Sequence, residues 1–322
     1  MSFHSTNQTT DVSSSAQTQK PNQSEASTPA KELFRMVGIL PQTDDRPPEK
    51  RRRGRPPWVA VILLGVILLG CLFAELLMNH DPAYLDLEHI SAPPSGSFYF
   101  GTDPMGRDIF SMIWYGGRIS LFIGLFAAAL STVIAIVYGS VSASVPSFLD
   151  DGMMRLAELI MSIPSILIVI FIQAVIGQTN PLSIGFVIGI TSWMNMAKIV
   201  RTEVLRLKQS GYVQAAHSMG AGFWYLLIRH LIPGLFPSIL FMIVTNIGTA
   251  IGTEATLSFL GIGLPMETVS WGSMLSQADR ALMSGDWWVI LIPGTFLAVT
   301  LVCITDIGNY IRKENNRTCS NL

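Results

Sequence analysis

Charge is scarce in this sequence. Only 13% of its 322 residues are Asp, Glu, Lys or Arg, roughly half the share of a soluble domain. Cysteine is also scarce, with three in all, which excludes a disulfide scaffold. No Gly-Lys pair occurs, so the phosphate-binding loop that ends in Gly-Lys-Ser/Thr is absent, and the energy for any active process would have to come from another polypeptide. The His-Glu-x-x-His and Gly-x-Ser-x-Gly motifs are missing too, which removes the commonest metalloprotease and serine-hydrolase readings. No apolar stretch precedes Trp58, so a signal peptide is not expected. What remains is 49% hydrophobic with a mean hydropathy of +0.44. That excludes a disordered chain and argues against an ordinary soluble enzyme.

The net charge of −1 hides a strong positional bias. Residues 1–30 are rich in Ser, Thr, Gln and Asn, too polar to offset their ordering entropy, and are expected to be disordered. Residues 46–55 then hold six of the 21 basic side chains. Within them, Arg53-Gly54-Arg55-Pro56 matches the core of a minor-groove DNA clamp. A single copy abutting an apolar segment instead reads as a juxtamembrane anchor under the positive-inside rule, so no nucleic-acid partner is expected.

Six segments have the length and polarity to span a bilayer. They run from Trp58 to Met78, then from about Ile119 to Val141, Leu159 to Ile176, Leu182 to Ile199, Leu235 to Ile251 and Trp288 to Ile307. Gly124, Ala127, Ala128, Ala129, Ser131, Gly139 and Ser140 crowd the second, as close helix packing in lipid requires. Pro164, Gly185, Gly189, Gly248, Gly252, Pro293 and Gly294 interrupt the others, which suits helices that bend or line a cavity. The loop after the fourth segment carries Lys198, Arg201, Arg206, Lys208 and Arg229 against Glu203, and the last stretch carries Arg312, Lys313 and Arg317 against Glu314. The first and last of the intervening loops are acidic, with Asp81, Asp86, Glu88, Asp103 and Asp108 in one and Glu267, Asp279 and Asp286 in the other. This alternation places both termini in the cytoplasm. Asp150, Asp151 and Arg155, between the second and third segments, do not fit it.

About 35 residues separate the fourth and fifth segments, too many for a simple turn. There Gly220 and Gly222 divide two short helical stretches, each with apolar residues a turn apart. Two readings stand: a hairpin docking into a partner's groove, or an amphipathic loop lying on the membrane. The residues themselves are Gln214-Ala215-Ala216, then Gly220, then His230-Leu231-Ile232-Pro233. This resembles the cytoplasmic signature of the permease subunits of ABC importers: Glu-Ala-Ala, three residues, Gly, nine residues, Ile-x-Leu-Pro. Gln214, His230 and Ile232 depart from it, and Gln214 removes a charge that could pair with an ATPase.

Two further motifs resemble the peptide/nickel branch of those permeases, on the side of the C-type subunit. One is Phe100-Gly101-Thr102-Asp103 with Gly106-Arg107-Asp108, leading to Gly117-Arg118-Ile119-Ser120-Leu121; the other is Glu254-Ala255-Thr256-Leu257-Ser258-Phe259-Leu260-Gly261-Ile262-Gly263 with Trp271-Gly272. The resemblance covers about residues 58–311. It implies an all-α polytopic membrane protein with six transmembrane helices in the type-I importer permease fold. In that layout residues 1–57 are a cytoplasmic tail, 58–78 the first span, 79–118 an outer loop, 119–311 the permease core with a coupling loop at 200–234, and 312–322 a cytoplasmic tail. The chain would form half of a pore for peptides or nickel and metal-chelate solutes, paired with a second permease subunit. It would bind no cofactor itself, with ATP on two cytoplasmic partner subunits and an outer substrate-binding protein delivering the solute. It would not be an enzyme.

Individual residues carry expectations of their own. Thr102 or Asp103 would cap a helix beginning at Pro104. Glu254, at membrane depth, reads as a pathway or gate residue or as a locally paired group, with Gly261 and Gly263 beside it. Glu75 would reach the interface. His80, Asp81, Asp86, Glu88 and His89 have donor chemistry for a divalent metal but no tight ligand spacing, so a solvated acidic loop is expected and no metal. A self-contained secondary transporter or channel would need ionisable groups within its spans, and an intramembrane hydrolase a nucleophile with a nearby base; mid-span charge is nearly absent and no span holds a His.

Overall fold

The computed structural model describes residues 56–177, 179–265 and 267–319, the last four of these by backbone alone. The expected disorder of residues 1–30 and the basic cluster at 46–55 lie outside the described residues. Among the described residues the secondary structure is helical, and the one β pairing is an antiparallel bridge between Thr102 and Asp108.

The first apolar segment forms α1 (Trp58–Leu72) and α2 (Ala74–Leu77), separated by a break at Phe73. At 1.5 Å per residue the stretch covers about 30 Å, the thickness of a bilayer core. The long α3 (Ile109–Ser142) starts at Ile109 rather than near Ile119. Its N-cap is Asp108, whose carboxylate accepts from the Ser111 amide at 3.1 Å. The expected cap at Thr102 or Asp103 is therefore corrected: Pro104 sits in a turn that precedes the helix, and the first capped amides lie beyond it.

The third and fourth segments are each broken. The amphipathic α4 (Ser147–Met161) and the apolar α5 (Ser165–Ile176) meet at 86° across Ser162–Pro164. Pro164 cannot extend the hydrogen-bond ladder and disfavours helical geometry at Ile163, so the span turns there instead of continuing. Then α6 (Pro181–Thr191), opened by an Asn180–Ser183 capping box, meets α7 (Met194–Lys208) at 48°.

Next come α8 (Gly211–Ser218), α9 (Phe223–Leu226), a π-turn (Leu227–Leu231) and α10 (Ile232–Phe259). From Phe223 to Phe259 the helix is continuous, so the loop expected at 200–234 is in part an extension of the span that follows it. Pro233 has no N–H and its ring would crowd the Arg229 carbonyl; widening to a π-turn just upstream relieves both. Two short helices, α11 (Trp271–Leu275) and α12 (Ala278–Ser284), lead to α13 (Trp287–Cys319).

Among the described residues three helical runs are long and apolar enough to cross a membrane, or five with each bent pair as one span, and α1 is a shorter apolar helix that α2 extends past the break at Phe73. In lipid, apolar helices gain nothing by hiding from their solvent, so close contact must hold them together. The central α3 supplies it. A Cβ at Gly117 would collide with Cys71 and Trp271, at Gly124 with Ile251 and at Gly139 with Ala197. Three small residues on one helix thereby admit α1 and α11, α10, and α7 in turn. Alternating passes put the segment between α7 and α10 at one end of the bundle. Residues 79–108 and 260–286 lie at the other, where Trp288 Nε1 donates to the Thr102 carbonyl at 3.1 Å.

Candidate functional site: a hairpin at one end, a locked cap at the other

At the hairpin end, α8 and α9 meet across Gly220. The Gly220 amide donates to the His217 carbonyl at 2.9 Å and the Ala221 amide to the Ala216 carbonyl at 3.2 Å, while Gly220 adopts φ +84°. This is a left-handed helix stop that hands the chain from α8 to α9 at a set angle. Ala216, Leu226, Leu227 and Leu231 are buried beneath the hairpin with Val200 and Val204 of α7. Met219, Trp224, Tyr225 and Ile228 remain exposed on its surface. Between α7, α8 and α9 opens a groove of about 530 Å³, lined by Lys208, Gln214, His217 and Phe223 among others.

The residues singled out in the sequence come together here. Gln214 and Ala215 are exposed, Ala216 is buried, and Gln214 Nε2 donates to the Gln209 carbonyl at 3.3 Å. His230 is half-buried, its ring 6.1 Å from Tyr212 and 5.9 Å from Tyr225, while Pro233 is exposed at the start of α10.

At the far end, the Gly101–Asp108 motif folds into a buried knot. Asp103 accepts from the Met105 and Arg107 amides, each at 2.8 Å, from Arg107 Nε at 2.8 Å and Nη2 at 2.7 Å, and from Gln277 Nε2 at 3.2 Å. Thr102 is fully buried; its hydroxyl donates to the His89 carbonyl at 2.5 Å and accepts from the Ala92 amide at 2.7 Å. A side chain at Gly106 would run into the Asp86 carbonyl. The motif thus pins the loop 79–100 across the ends of α3, α11 and α13. His89 Nδ1 lies 2.8 Å from Asp86, and that hydrogen bond holds the Asp86 carboxyl below the usual carboxylate range. Among the described residues no group of three or more His, Cys, Asp or Glu side chains converges as a metal site.

Glu254 is fully buried between α3, α10 and α11. It accepts from Ser270 Oγ at 2.8 Å, Ser258 Oγ at 2.9 Å and Ser120 Oγ at 3.3 Å, and Ser120 in turn accepts from the Trp271 amide at 3.2 Å. These bonds supply the local pairing that was one of the two sequence readings. Gly261, at φ +75°, ends α10 with the Ile262 amide donating to the Leu257 carbonyl at 3.0 Å, and Gly263 packs on Ser258. These glycines shape a chain reversal over the Glu254 cluster. Glu254→Gln keeps an acceptor for the serines, whereas Glu254→Ala removes it and leaves a void. Thermal unfolding in detergent is expected to place the alanine variant at least about 2 kcal/mol below the glutamine one.

Some interactions gave little sequence signal. Arg118 Nη1 pairs with Glu75 at 2.9 Å and its Nε and Nη2 donate to the Cys71 and Leu72 carbonyls at 2.6 and 2.7 Å, closing the C-terminal end of α1. Asp150 is clamped by Arg201, with Nε to Oδ1 at 2.6 Å and a second bond from Nη2 to Oδ2. That pairing accounts for Asp150, one of the two acids that break the charge alternation.

A helical polytopic bundle with broken third and fourth spans, an exposed hairpin at one end and a locked cap at the other defines the class: a membrane permease of the ABC type-I importer fold. A chain of the MetNI methionine ABC transporter, solved in inward-facing conformations, shares this fold at a TM-score of 0.51 and 17% identity, over 63% of this chain and 96% of that one. Residues 133–311 match the family described as binding-protein-dependent transport system inner membrane components, and the chain belongs to that family. It is 38% identical over 261 residues to the oligopeptide transport system permease protein OppC of Bacillus subtilis (strain 168), covering 81% of this chain and 85% of the relative. The dipeptide transport system permease protein DppC of the same organism is 31% identical, over 80% of each chain. A putative peptide permease protein of Brucella suis biovar 1 is 34% identical over 78% of this chain and 83% of its own.

Proposed function

We propose that this chain is one half of the membrane pore of an ATP-driven peptide importer and that residues 210–233 receive the motor. The observation that carries the reading is the hairpin. It exposes Met219, Trp224, Tyr225 and Ile228 while its other face is packed on α7, and it runs without a break into the membrane helix α10. A push on such a surface moves a spanning helix directly.

In this reading the hairpin and both termini face the cytoplasm, in keeping with the basic loops at that end. The partners are a second, non-identical permease subunit, two ATP-hydrolysing subunits on the hairpin side and a solute-binding protein over the cap. ATP is bound on the motor subunits, and this chain makes and breaks no bonds in the solute. Peptides are favoured over nickel complexes because the relatives named above are peptide permeases.

The test is reconstitution of the full complex in vesicles, with uptake of an isotopically labelled di- to pentapeptide mixture as the measurement. Uptake is expected only with both ATP and the binding protein present. Uptake by this chain alone, driven by an ion gradient, would show a self-contained transporter and overturn the reading.

A further inference from the structure

The side of α7 that faces α3 and α4 is tied down by three basic residues. Lys198 Nζ reaches Glu158 on α4 at 3.4 Å. Arg201 grips Asp150 on α4 with two parallel bonds. Lys208 Nζ donates to the Ala143 carbonyl, at the C-terminal end of α3, at 3.0 Å, a position where a cation also meets the negative end of the helix dipole. The middle tie is the strongest. Asp150 is only 8% exposed and also accepts from Ser142 Oγ of α3 at 2.5 Å, so one carboxylate joins three helices. A two-point guanidinium–carboxylate contact resists rotation as well as separation, which a single ammonium contact does not.

The placement of these ties matters because α7 is bounded by two breaks. One is the 48° bend at Ser192–Trp193, and the other is the turn at Gln209–Ser210 that leads into the hairpin. α4 ends at its own 86° elbow. A helix free at both ends would swing against its neighbours and dissipate a push received from the hairpin. With the ties in place, the end of α3, α4, α7 and the hairpin make one block, and the nearest flexible points are the two elbows within the membrane segments.

We propose that Asp150 and Arg201 form a positioning clasp that makes the hairpin, α7 and α4 move as one body, so that motion imposed on the hairpin reaches the elbows at Ser162–Pro164 and Ser192–Trp193. This rests on the reading that the hairpin receives the ATPase. The clasp touches no solute and no nucleotide; it acts through the helices it holds.

The experiment uses the complete complex in vesicles, with ATP hydrolysis, retention of the ATPase subunits and uptake of the labelled peptide mixture all measured. The variants are Arg201→Lys, Asp150→Asn and the exchanged pair Asp150→Arg with Arg201→Asp. Asp150→Asn is expected to keep the ATPase subunits bound and hydrolysing while peptide moved per ATP falls about tenfold, within the range of ordinary coupling between sites. Arg201→Lys, which keeps the charge but not the fork, should fall several-fold, and the exchanged pair should recover most of the loss. If Asp150→Asn fails to accumulate, the milder Arg201→Lys is read in its place. An unchanged ratio of peptide to ATP in the single variants overturns the clasp. So does joint loss of ATPase binding and uptake, or no recovery in the exchanged pair. Wild-type uptake that proceeds without ATP overturns the importer reading itself, a result separate from any outcome with the clasp variants.

Discussion

Gly220→Val is expected to release the ATPase subunits while the chain still inserts in the membrane. A Cβ at this position would meet nothing within 4 Å, so the obstacle is conformational and not steric crowding by neighbours. At φ +84° a β-branched residue carries a penalty of about 1–2 kcal/mol, and the chain escapes it by abandoning the left-handed stop. The bonds from Gly220 to His217 and from Ala221 to Ala216 then break, and α8 loses its fixed angle to α9. The proposed docking surface is built from both helices, so a change of angle separates Met219 from Trp224 and Tyr225. Gly220→Asn is the control, because asparagine tolerates the left-handed region. Co-purification of the ATPase should survive in the asparagine variant and fail in the valine one. Equal retention in both would remove the hairpin from the docking interface.

The second large effect belongs to the cap. Asp103→Asn removes the carboxylate that Arg107 grips with two side-chain nitrogens, and Arg107 is only 5% exposed. Breaking a buried pair from one side costs about 3–5 kcal/mol, because the remaining charge is left in a medium that solvates it poorly. The double variant Asp103→Asn with Arg107→Gln removes both charges and is expected to lie well above the single one in stability. Thermal unfolding of the detergent-solubilised protein measures both. Equal loss in the two would mean that the backbone bonds from Met105 and Arg107 to Asp103, and not the ion pair, hold the knot. Since this cap lies across the ends of α3, α11 and α13, its loss should also weaken docking of a binding protein.

Apolar run length and charge placement made much of this legible in advance. The helical class, the apolar segments, the hairpin between α7 and α10 and the small-residue face of α3 all follow from composition within short windows. Helix ends were less legible. α3 begins at Ile109 because Asp108 caps it, and Asp103 five residues upstream offered the same local chemistry. The elbow at Ser162–Pro164 was signalled by the proline, but a proline inside an apolar run is equally compatible with a mild kink. Pro237 and Pro293 lie inside α10 and α13, which continue past them.

The pairings across the fold had no local signal at all. Asp150 and Arg201 are 51 positions apart, and Ser120 and Glu254 are 134 apart. Nothing in either neighbourhood says which acid meets which base, or that three serines from three helices converge on one carboxylate. Sequence alone determined that this chain lives in a membrane, where its apolar segments lie and where charge can stand, because the cost of burying an ion in lipid acts residue by residue. Only the tertiary structure decided that Glu254 is a buried tie, that Gly261 is a helix stop and that α7 is clasped to α4. Those roles depend on which helices meet, and helices meet through shapes that no single segment contains.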